Sequence, residues 1–163
     1  MEPPYKLILE KLEELEIPIL KAFHEPIMTV EDGESVAQAL NVRPSKCVLA
    51  SSRKREFVLI MADGKRQLPL KKISEQIGCS RLSFASSDDL KKMLNTMAGA
   101  VSPLGLMFDY DRKVSFVIDK SILNQQYVLC HPNENSSTLK IKTLDLLNRF
   151  LPGIDHPDYI TFE

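Results

Sequence analysis

A chain of 163 residues, 44% hydrophobic and 26% charged, can bury roughly 70% of its unfolded surface around one core, which excludes collagen-like, disordered and coiled-coil classes. The longest uninterrupted apolar run, Phe57 to Ala62, is six residues, against the roughly 18 that a membrane span needs, so no transmembrane helix is expected. The net charge of −1 conceals an imbalance: residues 43–92 carry twelve Lys/Arg against five Asp/Glu, a net +7, leaving −8 elsewhere, so a basic face that attracts a polyanion and a merely solvated surface both remain open.

Tyr5, Ile8, Leu9, Leu12 and Leu15 place one apolar stripe on a first helix that ends near Pro18. A short extended stretch, Pro18 to His24, follows, and Ser35 to Leu40 predicts a second short helix before Pro44. Lys46–Ser51 and Glu56–Ala62 read as strands of a hairpin whose tip, Ser52-Arg53-Lys54-Arg55, is basic. Pro69 suits the first turn of a helix with Ile73 and Ile77 on its apolar face and Gly78 at its end. A short strand over Arg81–Ala85 leads to Ser86-Ser87-Asp88-Asp89, N-cap candidates for a helix ending near Gly99. Lys113–Asp119, Gln125–Cys130 and Thr138–Lys142 are strand candidates, and a last helix, Thr143–Leu151, is closed by Pro152-Gly153. Strands adjacent in sequence favour antiparallel pairing, so the expected fold is a single α+β domain over 1–163, with helices around a mixed, mostly antiparallel β-sheet.

Three cysteines, Cys47, Cys79 and Cys130, form neither a paired framework nor a zinc knuckle, and no basic segment leads into an apolar one at the N-terminus; a reducing cytoplasm is the expected location. The templates for common hydrolases, nucleotide binders and zinc enzymes are absent, and His24, His131 and His156 have no metal-ligand spacing, so neither metal nor cofactor is expected. Cys47 and Cys130 lie in apolar strand contexts that suit inert thiols. The most unusual stretch is Gly99-Ala100-Val101-Ser102-Pro103-Leu104-Gly105-Leu106. Amides free of side-chain bulk could cradle a carbonyl oxygen or phosphate there, or the segment could be a helix cap and a tight connection.

This stretch resembles the G-S-V-(S/T)-P-x-G-(L/I) signature of the YbaK/ProX family of free-standing aminoacyl-tRNA deacylases, and three further blocks match in order. His24-Glu25-Pro26-Ile27-Met28-Thr29-Val30-Glu31 is similar to the family's N-terminal H-x-x-x-(F/Y)-T-V-E segment, and Ser45-Lys46-Cys47-Val48-Leu49 to the strand that carries its functional lysine. His131-Pro132-Asn133-Glu134-Asn135, with Thr138, resembles the H-P-x-x-N-x-x-T segment of the prolyl-tRNA editing branch. The blocks span about residues 20–145, and the strand end Ser83-Phe84-Ala85-Ser86 also fits.

The resemblance implies hydrolysis of the ester between a wrong amino acid and the 3′-terminal adenosine of tRNA. Lys46 would stabilise negative charge at the substrate carbonyl or terminal phosphate, Gly99 and the amides of Ala100, Val101 and Ser102 would hold the ester carbonyl, and His131 would contact substrate or adenosine. Asn135 would shape its turn, and Ile27, Thr29 and Val48 would form a side-chain pocket that admits alanine and walls out proline. An activated ester needs only a positioned water, so a missing nucleophile is no objection. Arg53, Lys54, Arg55, Lys65 and Arg66 would contact tRNA phosphates, with the acceptor end of tRNA(Pro) as partner and a prolyl-tRNA synthetase as a candidate source of substrate. Cys47 stands where alanine-editing members commonly have Asn, and Ala100 where Ser is usual. Cysteinyl, seryl and threonyl esters therefore stay open as substrates, as does a non-catalytic relative that binds tRNA or a protein partner.

Overall fold

The computed structural model describes residues 2–27 and 29–163. Helix α1 (Pro4–Glu14) has Pro4 in its first turn, where a missing N–H costs nothing, and buries Ile8 and Leu12. Strand β1 (Ile19–Phe23) follows. Helix α2 (Val30–Leu40) starts five residues before the expected Ser35, because Thr29 and Asp32 form a reciprocal cap. The Asp32 amide donates to Thr29 Oγ1 and the Thr29 amide to Asp32 Oδ2, both at 3.1 Å. Asn41, at φ +54°, ends the helix in the left-handed region.

Strands β2 (Ser45–Ser51) and β3 (Phe57–Asp63) form the expected hairpin, in the register Ser45↔Asp63 to Ser51↔Phe57. Helix α3 (Leu70–Ile77) ends at Gly78, φ +77°, and β4 (Ser83–Phe84) pairs only briefly with β2. Helix α4 (Ser87–Leu94) is capped by Ser86 and stops at Asn95, φ +52°, short of the expected Gly99. Ser102 then caps a 3₁₀ turn over Pro103–Phe108, in the segment expected to be loop. Strand β5 (Val114–Asp119), helix α5 (Lys120–Leu123), and strands β6 (Tyr127–Cys130) and β7 (Ser137–Lys142) complete the second half. The final helical stretch runs through α6 (Thr143–Asp145), a π turn over Leu146–Phe150 and α7 (Leu151–Gly153). The wide turn lies just before Pro152, whose ring would crowd the carbonyl four residues back in a regular α-helix. A last strand, β8 (Ile160–Phe162), has no counterpart among the expected elements.

The strands divide between two sheets, ordered β1-β7-β6 and β4-β2-β3-β5-β8. The three-stranded sheet is antiparallel; in the larger one β3 pairs with β5, and β5 with β8, in parallel. The α+β class with mixed, mostly antiparallel pairing is therefore what the chain adopts; the crossover through α3, β4 and α4 makes the β3–β5 pair parallel, and the one through α5, the small sheet and the final helical stretch does so for β5–β8. Every residue of β3 is buried because both faces of its sheet are covered. Leu59 and Met61 face a core shared with α1, the final helical stretch and the smaller sheet, whereas Val58, Ile60 and Ala62 face Ile73 of α3. Among the described residues no helix is long and apolar enough to cross a membrane.

Candidate active site

Backbone bonds beyond the strand ends bring separated motifs together. The His24 amide donates to Ser136 O and the Ile27 amide to Asn135 O, each at 3.0 Å, which continues the β1–β7 pairing past Phe23. The turn over 131–136 is in turn anchored to the end of α4: Asn133, buried and at φ +58°, donates through Nδ2 to Leu94 O (2.9 Å) and Asn95 O (3.1 Å). Ser102 Oγ donates to His131 O at 2.6 Å and accepts from the Leu104 amide, so the glycine-rich loop is tied to the same turn. No local sequence signal marks Asn133 for this task beyond its tolerance of the left-handed region.

These ties enclose a cavity of about 550 Å³ between the start of β2, one face of α2, the 99–101 loop and the ends of β6 and β7. Six nominated residues line it: Lys46, Gly99, His131, Ile27, Thr29 and Val101. Gly33 and Ala37, one turn apart on α2, and Cys47, Leu129 and Thr138 complete much of the wall, with Glu34 at an exposed position. Met28 of the N-terminal motif lies outside the described residues.

Four nominated residues lie off this wall. Val48 shares its face of β2 with Ala50 and packs into the core beneath α3. Ala100 is fully buried and its amide is spent on Met97 O. Ser102 is buried, its hydroxyl committed as described. Asn135 stands behind Gly99: a Cβ on that glycine would lie 3.8 Å from Asn135 Nδ2 and 3.6 Å from Ile27 O. Gly99 has φ +85°, a conformation that costs other residues about 1–2 kcal/mol. Its amide and that of Val101 make no bond to a described residue and are free to donate.

The charged wall groups are Lys46 and Glu34, and neither side chain bonds or pairs with a described residue. His131 is held neutral: burial lowers its pKa from the ordinary 6.5, the Ser137 carbonyl pulls it up, and His24 nearby lowers it further. Burial pushes the Cys47 thiol well above its usual range and Cys130 to about 12, so neither is a ready thiolate. His24 and His131 meet through Thr138, while His156 is elsewhere, buried against Asp109 at 3.1 Å.

The five nominated cations are dispersed. Arg53 and Lys54 occupy the hairpin tip, at the far end of β2 from Lys46, about 20 Å along a seven-residue strand. Arg55 is clasped by Asp89 through two bonds of 2.7 and 3.2 Å, and Arg66 pairs with Asp119 at 3.1 Å and stacks on Phe162. Lys65 is exposed and follows Gly64, which lines the cavity.

The chain matches the model of the aminoacyl-tRNA editing domain over residues 24–148. It is 34% identical over 140 residues to the prolyl-tRNA editing protein ProX of Acetoanaerobium sticklandii, covering 85% of each chain. It is 30% identical over 161 residues to the prolyl-tRNA synthetase associated domain-containing protein 1 of Danio rerio, covering 97% of this chain and 87% of that one. Its fold superposes, with a TM-score of 0.73 and 16% identity over 99% of this chain and 97% of the other, on a solved structure described as a candidate trans-editing enzyme for prolyl tRNA synthetase. Over so large a share of its length, the chain belongs to the aminoacyl-tRNA editing domain family, and with it to the aminoacyl-tRNA deacylases.

Proposed function

We propose that the chain, acting over its whole length as one editing domain, hydrolyses mischarged aminoacyl-tRNA, with Ala-tRNA(Pro) as its substrate. The carrying observation is the pair of opposite charges lining the cavity, neither bonded to a described residue, beside a histidine whose pKa burial lowers. The aminoacyl ester carbonyl gathers negative charge as water adds and the α-amino group beside it is an ammonium, so Lys46 and Glu34 each have a complementary group to meet. The volume of about 550 Å³ exceeds what an alanyl group needs and leaves room for the terminal ribose.

In this reading the ester carbonyl points toward Lys46 and the free amides of Gly99 and Val101, which are aimed at charge that develops only as water adds. Water adds to the carbonyl carbon, the bond to the ribose 3′-oxygen breaks, and that oxygen leaves as the hydroxyl, giving free amino acid and tRNA. The ribose 2′-hydroxyl assists in placing the water. Ile27 and Thr29, with Cys47 and Ala37, set the size of the side-chain pocket; Val48 is removed from that set by its packing. Lys65 meets phosphates next to the terminal adenosine, and Arg53 and Lys54 reach phosphates further along the acceptor stem.

The test is release of labelled amino acid from tRNA(Pro) charged with alanine, proline, cysteine, serine or threonine. Rapid loss of alanine with proline spared supports the reading. Preferential loss of another small residue reassigns the pocket, for which Cys47 in place of Asn is the specific motive. No release with tRNA binding retained favours the binding-module alternative.

A further inference from the structure

We propose that His24 is a positioning residue: through the Thr138 hydroxyl it holds the cavity-lining His131 as the tautomer with hydrogen on Nδ1 and a bare Nε2. The inference rests on the editing reading only for its consequence on rate; the hydrogen bonds themselves are a separate observation. Thr138 lies on β7, the middle strand of the small sheet, and the two histidines follow its neighbours, β1 and β6.

The proton positions follow from what each partner can do. Backbone carbonyls only accept, so His24 Nδ1, 2.8 Å from Glu25 O, carries hydrogen and donates. His131 Nδ1, 3.3 Å from Ser137 O, does the same. An uncharged imidazole with hydrogen on Nδ1 accepts at Nε2, so the Thr138 hydroxyl, 2.7 Å from His24 Nε2, has to donate its single proton there. With that proton committed, Thr138 Oγ1 faces His131 Nδ1, at 3.5 Å, with a lone pair only, and can only accept. The chain therefore runs one way, from His131 Nδ1–H to Thr138 Oγ1–H to His24 Nε2. A Thr138 hydroxyl released from His24 could instead point its proton at His131 Nδ1 and favour the opposite tautomer. His131 Nε2 has no described partner. That nitrogen is free to accept a hydrogen bond from the attacking water or a ribose hydroxyl. Orientation of a functional histidine through its second ring nitrogen is a general device.

The test joins spectroscopy to kinetics on the full chain. Long-range ¹⁵N–¹H correlation spectra of the imidazoles in ¹⁵N-labelled protein at pH 8 are expected to show both His24 and His131 protonated on Nδ1. His24→Ala and Thr138→Val are expected to lower kcat for Ala-tRNA(Pro) on the order of 10-fold with KM little changed, with Thr138→Ser restoring it. Matching amide spectra and melting temperatures establish that the variants fold. Hydrogen on His131 Nε2 in the wild type overturns the inference, as does wild-type kcat in both His24→Ala and Thr138→Val. A wild-type chain with no deacylase activity counts against the editing reading instead, and the ring-nitrogen spectra still decide the tautomer.

Discussion

Lys46→Ala isolates the cation of the cavity from the stability of the fold. The Lys46 side chain is partly exposed on β2 and makes no hydrogen bond or ion pair with a described residue, so its truncation breaks no polar contact among them and should change stability by no more than about 0.5 kcal/mol. For a chain of this size that is a shift in Tm of about 1–2 °C. Removing one preorganised donor from a developing oxyanion costs roughly 10²–10³ in kcat, or about 2.7–4 kcal/mol. The predicted signature is a loss of at least about 100-fold in single-turnover deacylation of Ala-tRNA(Pro), with an unchanged urea midpoint. Lys46→Arg keeps the charge but replaces a compact ammonium with a planar fork, and should recover only part of the rate. A wild-type rate in Lys46→Ala refutes the proposed role, and a drop in Tm of more than about 5 °C refutes the claim that the side chain is structurally idle.

Two glycines of the wall should respond in opposite senses to a methyl group. Gly33→Ala, in α2 with open space around the added Cβ, should gain about 0.5–1 kcal/mol yet narrow the cavity, so calorimetry should show a higher Tm while alanine release slows. Gly99→Ala meets only ordinary contacts at 3.6–3.9 Å, so its cost is the φ of +85°, about 1–2 kcal/mol, and a Tm lowered by about 2–8 °C. Below pH 6.5 an unfolded chain takes up a proton that buried His131 refuses. The stability from this residue is therefore full above pH 6.5 and is lost as pH falls toward the depressed folded value; urea titrations of wild type and His131→Gln should diverge in that window and in that direction. Lys65→Ala should weaken binding of both full-length tRNA and a short acceptor-end mimic, whereas Arg53→Ala and Lys54→Ala should weaken only the former; equal effects on the mimic would place the hairpin tip at the cavity after all.

The helices and strands were legible where their causes are local. Pro4 and Pro69 near helix starts, Gly78 at a helix end, the Ser86 cap and the six-residue apolar run of β3 each act within a turn or two of chain, so periodicity and capping suffice to find them. The same holds for the candidate site as far as motifs go: Lys46, Gly99 and His131 sit in recognisable blocks, and all three line one cavity. The early start of α2 has a local cause as well, the reciprocal cap formed by Thr29 and Asp32.

What the tertiary structure alone decided depends on pairing between distant segments, for which one sequence holds no distance information. Local composition favoured antiparallel neighbours, yet β5 lies parallel to β3, and β8 is recruited to β5 by a register that only the finished sheet presents. Val48 and Cys47 look alike as strand residues; which faces α3 and which the cavity follows from what covers each side of β2. Thr138 and His24, 114 residues apart, come within 2.7 Å because β1 and β7 pair, and the basic hairpin tip is remote from Lys46 because the five extended residues Cys47–Ser51 separate them. Composition and periodicity thus determined the elements, and the motif resemblance nominated the chemistry. Chain closure over long separations, whose entropy cost only a complete core can offset, decided which of those groups meet.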